Sequence, residues 1–214
     1  MSENPTCQIY LITPPSIGDI QAFSRILQTT LAAAPIACLQ IRIKDRAPED
    51  IINLATEIVP ICHAHETLVI MNDDPHLVAP CQADGVHLGQ SDMDIKNAQQ
   101  LLEDDAIIGI TCHNSTSLAI EAAMSDADYV AFGSFFESAT KPEARPADLE
   151  ILQWWRHTTI IPSVAIGGIT VDNAEAIIKA GADYIALSSG VWDYAKGPAE
   201  AVKRLSAQCH AHSF

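Results

Sequence analysis

The sequence predicts an α/β protein that folds as a single (β/α)8 TIM barrel. Eight short runs rich in apolar and β-branched residues alternate with eight longer segments of helical periodicity over 214 residues. Strict alternation of this kind indicates a parallel sheet, and eight strand–helix pairs is the number that closes a barrel. No linker, low-complexity segment or shift in composition marks a second domain, so we expect residues 1–214 to form one domain.

The elements follow from runs of apolar residues that are bounded by turn residues. The predicted strands are 7–13, 37–43, 67–71, 85–88, 106–110, 128–132, 162–166 and 183–188. The predicted helices are 17–34, 48–64, 75–81, 94–103, 115–125, 148–157, 171–180 and 198–209. The seventh helix is expected to begin at Asp172 and to end at Gly181.

An internal repeat supports the barrel over its main alternative, an open doubly wound sheet. The segments ADGVHLG (83–89), ADYVAFG (127–133) and ADYIALS (182–188) each place an aspartate before an apolar strand that ends at a small residue. Repetition of one βα unit explains this similarity. No G-x-G-x-x-G follows the first strand, as the open sheet of a dinucleotide-binding protein would require.

The composition excludes several classes of function. The net charge is −15 with only twelve Lys and Arg residues, so we expect no nucleic-acid partner. No apolar run is long enough to span a membrane, and the N-terminal residues do not resemble a signal peptide. Six scattered cysteines without a C-x-x-C pair indicate reduced thiols and a cytoplasmic protein. Basic residues grouped at 42–46 and 141–145 favour an anionic small-molecule ligand.

In a barrel of this class, functional side chains collect at the carboxyl ends of the strands. The second predicted strand carries Gln40, Arg42 and Lys44 at a spacing of two, alternating with apolar residues. If helices cover the outside of the barrel, this polar face points inward, where a cation without a partner is unfavourable. A bound anion would compensate for that charge.

The third and fourth strands end in acidic residues. Asn72, Asp73 and Asp74 follow one strand, and Gln90 and Asp92 follow the next. Two carboxylates from adjacent strand ends predict a Mg²⁺ site, because Mg²⁺ takes one or two carboxylates together with water and phosphate oxygens. Two alternatives involve helix capping: Asp92 could cap the helix that follows it, and Asp74, directly before a proline, is expected to start a helix.

The remaining strand ends carry hydroxyls, glycines and one lysine. Thr111 and His113 follow the fifth strand as candidates for phosphate binding and proton transfer. A long loop after the sixth strand holds Ser138, Thr140 and Lys141, a phosphate-binding combination on a candidate lid. The loops after strands seven and eight, with Gly167, Gly168, Ser188, Ser189 and Gly190, match the recurrent phosphate site of these barrels.

Three residues with suggestive chemistry are interpreted as structural. His87 lies inside the fourth strand, which predicts a buried, hydrogen-bonded histidine rather than a metal ligand. Trp154 and Trp155 are expected to serve in helix packing. No G-x-S-x-G segment supports a serine-based nucleophile.

Taken together, the strand ends resemble the thiamine-phosphate synthase family. The segments QIRIK, NDD, GVHLGQSD, SATK, GGI and SS occur in the family's order over nearly the whole chain. The resemblance implies a TIM-barrel transferase that joins hydroxymethylpyrimidine diphosphate to a thiazole phosphate. The products would be thiamine phosphate and pyrophosphate, with loss of CO₂ as well if the thiazole is carboxylated.

The resemblance also implies a role for each matching position. The pyrimidine diphosphate would be bound by Gln40, Ile41, Arg42, Ile43, Lys44, Asn72, Thr111 and Lys141. Of these, Arg42, Thr111 and Lys141 would act in catalysis on the leaving diphosphate. The thiazole phosphate would be bound by Ser138, Ala139, Thr140, Gly168, Ser188 and Ser189. Asp73 and Asp92 would bind Mg²⁺, the expected cofactor. The partners would be phosphorylated small molecules, and a homo-oligomer is compatible with the sequence.

The chain departs from the family pattern at three positions. Thr111 stands where the family usually has serine, which keeps the hydroxyl, while Glu137 stands where it usually has proline and Ser138 where threonine is common. A carboxylate at position 137 would repel a phosphate. One alternative is therefore a thiazole tautomerase that uses His113 for proton transfer and needs no Mg²⁺. The other is a non-catalytic paralogue that binds thiamine phosphates.

Overall fold

The computed structural model describes residues 6–136 and 147–212. Eight parallel strands pair in sequence order, and β8 pairs with β1, so the sheet is a closed barrel. The strands are β1 Gln8–Ile12, β2 Cys38–Ile41, β3 Leu68–Asn72, β4 Gly85–Leu88, β5 Ile107–His113, β6 Tyr129–Gly133, β7 Ser163–Ile166 and β8 Tyr184–Leu187. This architecture confirms the predicted (β/α)8 barrel.

Helices connect the strands and cover the outside of the barrel. They are α1 Ile20–Leu31, α2 Pro48–Ala64, α3 Val78–Cys81, α4 Ile95–Gln99, α5 Thr116–Met124, α6 Glu150–Thr158, α7 Ala174–Lys179, α8 Ser189–Trp192 and α9 Pro198–Ala211, with a 3₁₀ turn at Pro75–Leu77 before α3. Trp155 of α6 is fully buried against Phe132 of β6, which confirms its predicted packing role. No helix within the described ranges is long and apolar enough to cross a membrane.

The two-residue period of the strands separates two layers of core. Alternate residues point outward and pack beneath the helices, as Leu11, Leu39 and Val130 do. The other residues fill the inside of the barrel: Tyr10, Ile12, Cys38, Ile70, Tyr129, Ala131, Val164 and Ala186. The interior is therefore packed with side chains, and ligands have access only at its ends.

The aspartates of the sequence repeat form hydrogen bonds between neighbouring strands at the amino-terminal end of the barrel, here called the floor. Each repeat aspartate lies just before an even-numbered strand and accepts a hydrogen bond from a backbone N–H near the start of the preceding strand. The pairs are Asp84 with Val69 at 2.6 Å, Asp128 with Ile108 at 2.7 Å and Asp183 with Ser163 at 2.7 Å. These carboxylates connect neighbouring strands where the ladder begins.

Several boundaries differ from the sequence expectation. β2 ends at Ile41, two residues early, and β5 continues to His113 through a register shift between Thr111 and His113. Helix α7 begins at Ala174, with Asn173 rather than Asp172 at its N-cap position. The short helix α8 was not predicted, because four residues carry too little periodicity to be recognised. All six cysteines are free and buried, as expected for reduced thiols.

Candidate active site

The predicted site residues converge on the carboxyl end of the barrel, here called the mouth. Arg42 directly follows β2, and its position is set by Thr13, which directly follows β1. The Thr13 hydroxyl donates to the Arg42 carbonyl oxygen at 3.2 Å and accepts from the Arg42 N–H at 2.9 Å. Thr13 is only 1% exposed, whereas Arg42 is half-buried. The arginine backbone is therefore fixed while its charge stays at the mouth.

The expected inward row of polar side chains on β2 is shorter than predicted. Gln40 is buried inside the strand, with 3% of its surface exposed. Ile43 and Lys44 lie beyond the strand, and Lys44 is exposed. Asp45 follows with a left-handed φ of 55°, which is incompatible with continued strand geometry. Three residues spaced by two therefore do not share one strand face, although Arg42 remains at the mouth.

Asp73 occupies a strained turn immediately after Asn72, the last residue of β3. Its φ is 67°, its N–H donates to the His87 carbonyl at 2.8 Å, and the next N–H, of Asp74, donates back to the Asn72 carbonyl at 2.9 Å. Burial and the neighbouring carboxyl of Asp92 raise the pKa of Asp73 to about 6, and the charge of Arg42 opposes the rise. Asp73, Asp92 and Arg42 are thus electrostatic neighbours.

Asp92 is held by the backbone of its own loop. Its Oδ2 accepts from the Gly89 N–H at 2.7 Å, and a Cβ added to Gly89 would lie 2.8 Å from that oxygen. The helix-capping alternative for Asp92 is wrong, because the side chain of Asp94 accepts from Asn97 at the start of α4. The prediction for Asp74 is confirmed: its side chain accepts from the His76 N–H and caps the 3₁₀ turn.

Asp73 and Asp92 have the chemistry of ligands for a hard divalent cation. In the part of the chain that the structure describes, no group of three or more His, Cys, Asp and Glu side chains could hold a metal. A pair of carboxylates without further protein ligands suits a cation that retains water and takes substrate phosphate oxygens. A divalent ion held by these residues would also offset the charge of Asp92, which after burial is the next cause that raises the pKa of Asp73.

Thr111 lies within β5 rather than after it, at the start of the register shift. Its hydroxyl is 2.8 Å from Nε2 of His87, and Nδ1 of His87 is 2.9 Å from the hydroxyl of Tyr129. His87 is therefore a buried, hydrogen-bonded histidine, as predicted. Burial lowers the pKa of His87 to about 4, so the imidazole is neutral at physiological pH. His113, two residues further on, is exposed and has a φ of 52°.

The glycine and serine residues after β7 and β8 lie at the same mouth. Gly168 has a left-handed φ of 64°, and a side chain at Gly190 would meet the Ile169 carbonyl oxygen at 2.2 Å. Ser188 follows β8 and donates through its hydroxyl to the Thr13 carbonyl at 3.0 Å, while Ser189 begins α8. Tight backbone turns that lead into a short helix are the usual phosphate-binding arrangement of these barrels.

Residues 137–146 of the sixth loop lie outside the described residues, and among them are Glu137, Ser138, Ala139, Thr140 and Lys141. Conversely, the site includes residues that the sequence analysis did not select. Thr13 connects the ends of β1, β2 and β8, Gly89 fixes Asp92, and Tyr129 contacts His87. For Tyr129 the sequence did contain a signal. Tyr129, like Tyr10, is an aromatic residue with a polar group at an inward position of an apolar strand.

Comparison with known proteins identifies the family. A sequence profile for thiamine monophosphate synthase matches residues 9–191. The thiamine-phosphate synthase of Rhodospirillum centenum is 48% identical over 197 residues, which cover 92% of this chain and 94% of that protein. The synthase of Hyphomonas neptunium is 46% identical over 209 residues, covering 95% and 94%.

A solved structure supports the same assignment. The thiamine phosphate pyrophosphorylase of Pyrococcus furiosus superposes with a TM-score of 0.85 at 28% identity, and the match covers 97% of each chain. The chain therefore belongs to the thiamine-phosphate synthase family, as the motifs at its strand ends predict.

Proposed function

We propose that this protein is a transferase that joins hydroxymethylpyrimidine diphosphate to a thiazole phosphate, forming thiamine phosphate and releasing pyrophosphate. The observation that supports it best is the grouping of Arg42, Asp73 and Asp92 at one mouth, next to the tight turns after β7 and β8. The group of Arg42, Asp73 and Asp92 suits a metal-bound diphosphate, and the turns after β7 and β8 suit a monophosphate. The names of the relatives agree with this assignment.

In the proposed reaction, the bond between the pyrimidine methylene carbon and the diphosphate oxygen breaks, and a bond from the thiazole nitrogen to that carbon forms. Negative charge then develops on the leaving pyrophosphate. Arg42 would stabilise this charge from the end of β2, and Thr111 would donate a hydrogen bond to it from β5. Mg²⁺ held by Asp73 and Asp92 would supply further positive charge for the leaving group. Gln40, Asn72 and Lys141 would complete the diphosphate side.

The thiazole phosphate would bind to the turns after β7 and β8. Gly168, Ser188 and Ser189 would provide backbone N–H donors, Ser138 and Thr140 of the sixth loop would add hydroxyl groups, and Ala139 would lie between them. Placement of the thiazole nitrogen beside the methylene carbon then accounts for much of the catalysis, because alignment of two bound reactants replaces a bimolecular encounter. Little acid–base machinery is needed, which agrees with the neutral, fully engaged His87.

The state of the thiols supports a proposal for the cellular location. All six cysteines are free and buried. None of them is assigned a role in the reaction. Unpaired cysteines are usual in a reducing compartment. We therefore propose that the protein acts in the cytoplasm on phosphorylated small molecules.

One assay tests the proposed function directly. The protein is incubated with both phosphorylated precursors, with and without Mg²⁺, and thiamine phosphate and pyrophosphate are followed. We expect equal amounts of the two products, formed only when Mg²⁺ is present. Absence of product at high protein concentration would contradict the proposal. Isomerisation of the thiazole that disappears in His113→Ala would instead identify a tautomerase. If phosphate ligands only raise the melting temperature, the protein is a binding paralogue.

A further inference from the structure

Four side chains inside the barrel form one continuous chain of hydrogen bonds, here called the interior chain. The Tyr10 and Tyr129 hydroxyls are 3.0 Å apart, the Tyr129 hydroxyl is 2.9 Å from His87 Nδ1, and His87 Nε2 is 2.8 Å from the Thr111 hydroxyl. Tyr10, Tyr129 and His87 are all buried. The His87 ring also stacks on Tyr129 with a centroid separation of 5.6 Å. Thr111 is therefore the member that connects this chain to the mouth.

Each member of the interior chain has one hydrogen to donate, because the buried imidazole is neutral. Two orders of donation run in a single direction along the whole chain, whereas a mixed order, in which Tyr129 accepts from both Tyr10 and His87, leaves the Tyr129 hydroxyl hydrogen unused within the chain. In the outward order, Tyr10 donates to Tyr129, Tyr129 donates to Nδ1 of His87, and Nε2–H donates to Thr111. The Thr111 hydroxyl hydrogen then remains available at the mouth. In the inward order every bond is reversed, and Thr111 uses its hydrogen on His87.

The surroundings of Tyr10 distinguish the two orders. In the inward order, the Tyr10 hydroxyl hydrogen would need an acceptor at the floor, beside a cavity of about 190 Å³. Leu68, Ile70 and Val164 line this cavity together with Asp128 and Tyr184, and the polar contact of Tyr10 besides Tyr129 is the Cys38 thiol, a weak acceptor. The outward order instead gives each hydrogen of the three buried members an oxygen or nitrogen acceptor within the chain.

We propose that the interior chain holds the Thr111 hydroxyl as a hydrogen-bond donor directed at the leaving diphosphate, which makes His87 and Tyr129 positioning residues. This inference rests on the proposed function, because it requires the diphosphate to lie at Thr111. No bond breaks in the chain and no proton is transferred. The fixed orientation means that the donor is already aligned when charge builds on the leaving oxygen, so its effect is stronger in the transition state than in the bound substrate.

A double-mutant cycle in kcat tests the positioning role. The variants are Thr111→Val, Tyr129→Phe and the double variant. Tyr184→Phe is the matched control, since it removes a tyrosine hydroxyl at the same cavity but outside the interior chain. We expect Tyr129→Phe to lower kcat by about tenfold with little change in KM, the effect of one misaligned hydrogen bond. In the Thr111→Val background the same change should lower kcat by less than about twofold, because the hydroxyl it orients is gone. The control should retain the wild-type kcat.

Independent, additive effects of Tyr129→Phe and Thr111→Val would overturn the positioning role. So would a change confined to KM, or an equal loss of kcat in Tyr184→Phe. The melting temperature of each variant separates a loss of kcat from a loss of folded protein. Thr111→Ser serves as the conservative variant and should retain most of the activity, because it keeps the hydroxyl.

The direction of hydrogen-bond donation along the interior chain can also be tested without any assay of activity. Nitrogen-15 NMR of the wild-type protein distinguishes the two neutral tautomers of an imidazole, with the His87 signals assigned through its contact with the Tyr129 ring. The outward order requires hydrogen on Nε2, and hydrogen on Nδ1 would overturn the proposal. If the wild-type protein formed no thiamine phosphate, the proposed function would fail. The NMR result would still decide whether Thr111 is held as a donor.

Discussion

The two ends of the barrel use aspartate in opposite ways. At the floor, Asp84, Asp128 and Asp183 each accept a backbone N–H from a neighbouring strand. At the mouth, Asp73 and Asp92 face one another, and burial together with this repulsion raises the pKa of Asp73 to about 6. The floor carboxylates therefore stabilise the barrel, whereas the mouth carboxylates are held close together despite their mutual repulsion. Placement relative to backbone donors and to other charges decides between the two roles.

The backbone at Asp73 is unusual as well. Asp73 has a φ of 67°, a left-handed conformation that is uncommon for residues other than glycine. Such conformations are tolerated where the surrounding structure enforces them, and they concentrate at functional sites. We interpret the mouth as a region where stability is reduced in favour of ligand binding.

The largest expected effect is at the mouth. Asp73→Asn should lower the Mg²⁺-dependent kcat by about 100-fold or more, because one of two charged ligands is lost. The melting temperature should not fall, since the change removes a repulsion and asparagine tolerates a left-handed φ. Steady-state kinetics over a range of Mg²⁺ concentrations, together with thermal unfolding, measures both quantities.

Asp74→Asn is the matched control for that experiment. Asp74 caps the 3₁₀ turn through its side-chain oxygen, and asparagine caps about as well as aspartate. We expect kcat and melting temperature close to those of the wild type. Equal losses of activity in the two variants would contradict the division of roles between these adjacent residues.

An intermediate effect is expected at the floor. Asp183→Ala removes hydrogen bonds from both the N–H and the hydroxyl of Ser163, and should lower the free energy of unfolding by about 2 kcal/mol. The kcat of the remaining folded protein should be unchanged, because the floor lies at the opposite end of the barrel from the ligands. Urea denaturation measures the first quantity and initial rates measure the second. A fall in kcat without loss of stability would show that the two ends are coupled.

The smallest effect concerns the loop that holds Asp92. In Gly89→Ala, the added methyl group would lie 2.8 Å from the Asp92 Oδ2 and displace the carboxylate. We expect the apparent affinity for Mg²⁺ to fall by about fivefold, the loss of one well-placed hydrogen bond. Gly18→Ala is the control, because a Cβ there meets no atom within 4 Å. Unchanged Mg²⁺ dependence in Gly89→Ala would mean that Asp92 is not a ligand.

The local sequence pattern was enough to predict the barrel. It was also enough to predict which strand each site residue follows. Alternation of strands and helices specifies a parallel barrel, and parallel strands bring Arg42, Asp73 and Asp92 to one end whatever the details of packing. Where strands stop was less predictable, since β2 ends early before the left-handed Asp45 and β5 continues through a register shift. Those boundaries depend on neighbouring strands rather than on the segment itself.

The detailed arrangement of the site depends on contacts between residues that are distant in sequence. Tyr10 and Tyr129 are 119 residues apart, and Thr13 meets Ser188 across 175 residues. Periodicity specifies that a side chain points into the barrel, but not which side chain it meets there. The sequence thus established the fold, the family and the chemical types at the mouth. The partners of His87 and the hydrogen bonds that orient Thr111 became visible only once the sheet had closed, because barrel closure brings these groups within bonding distance.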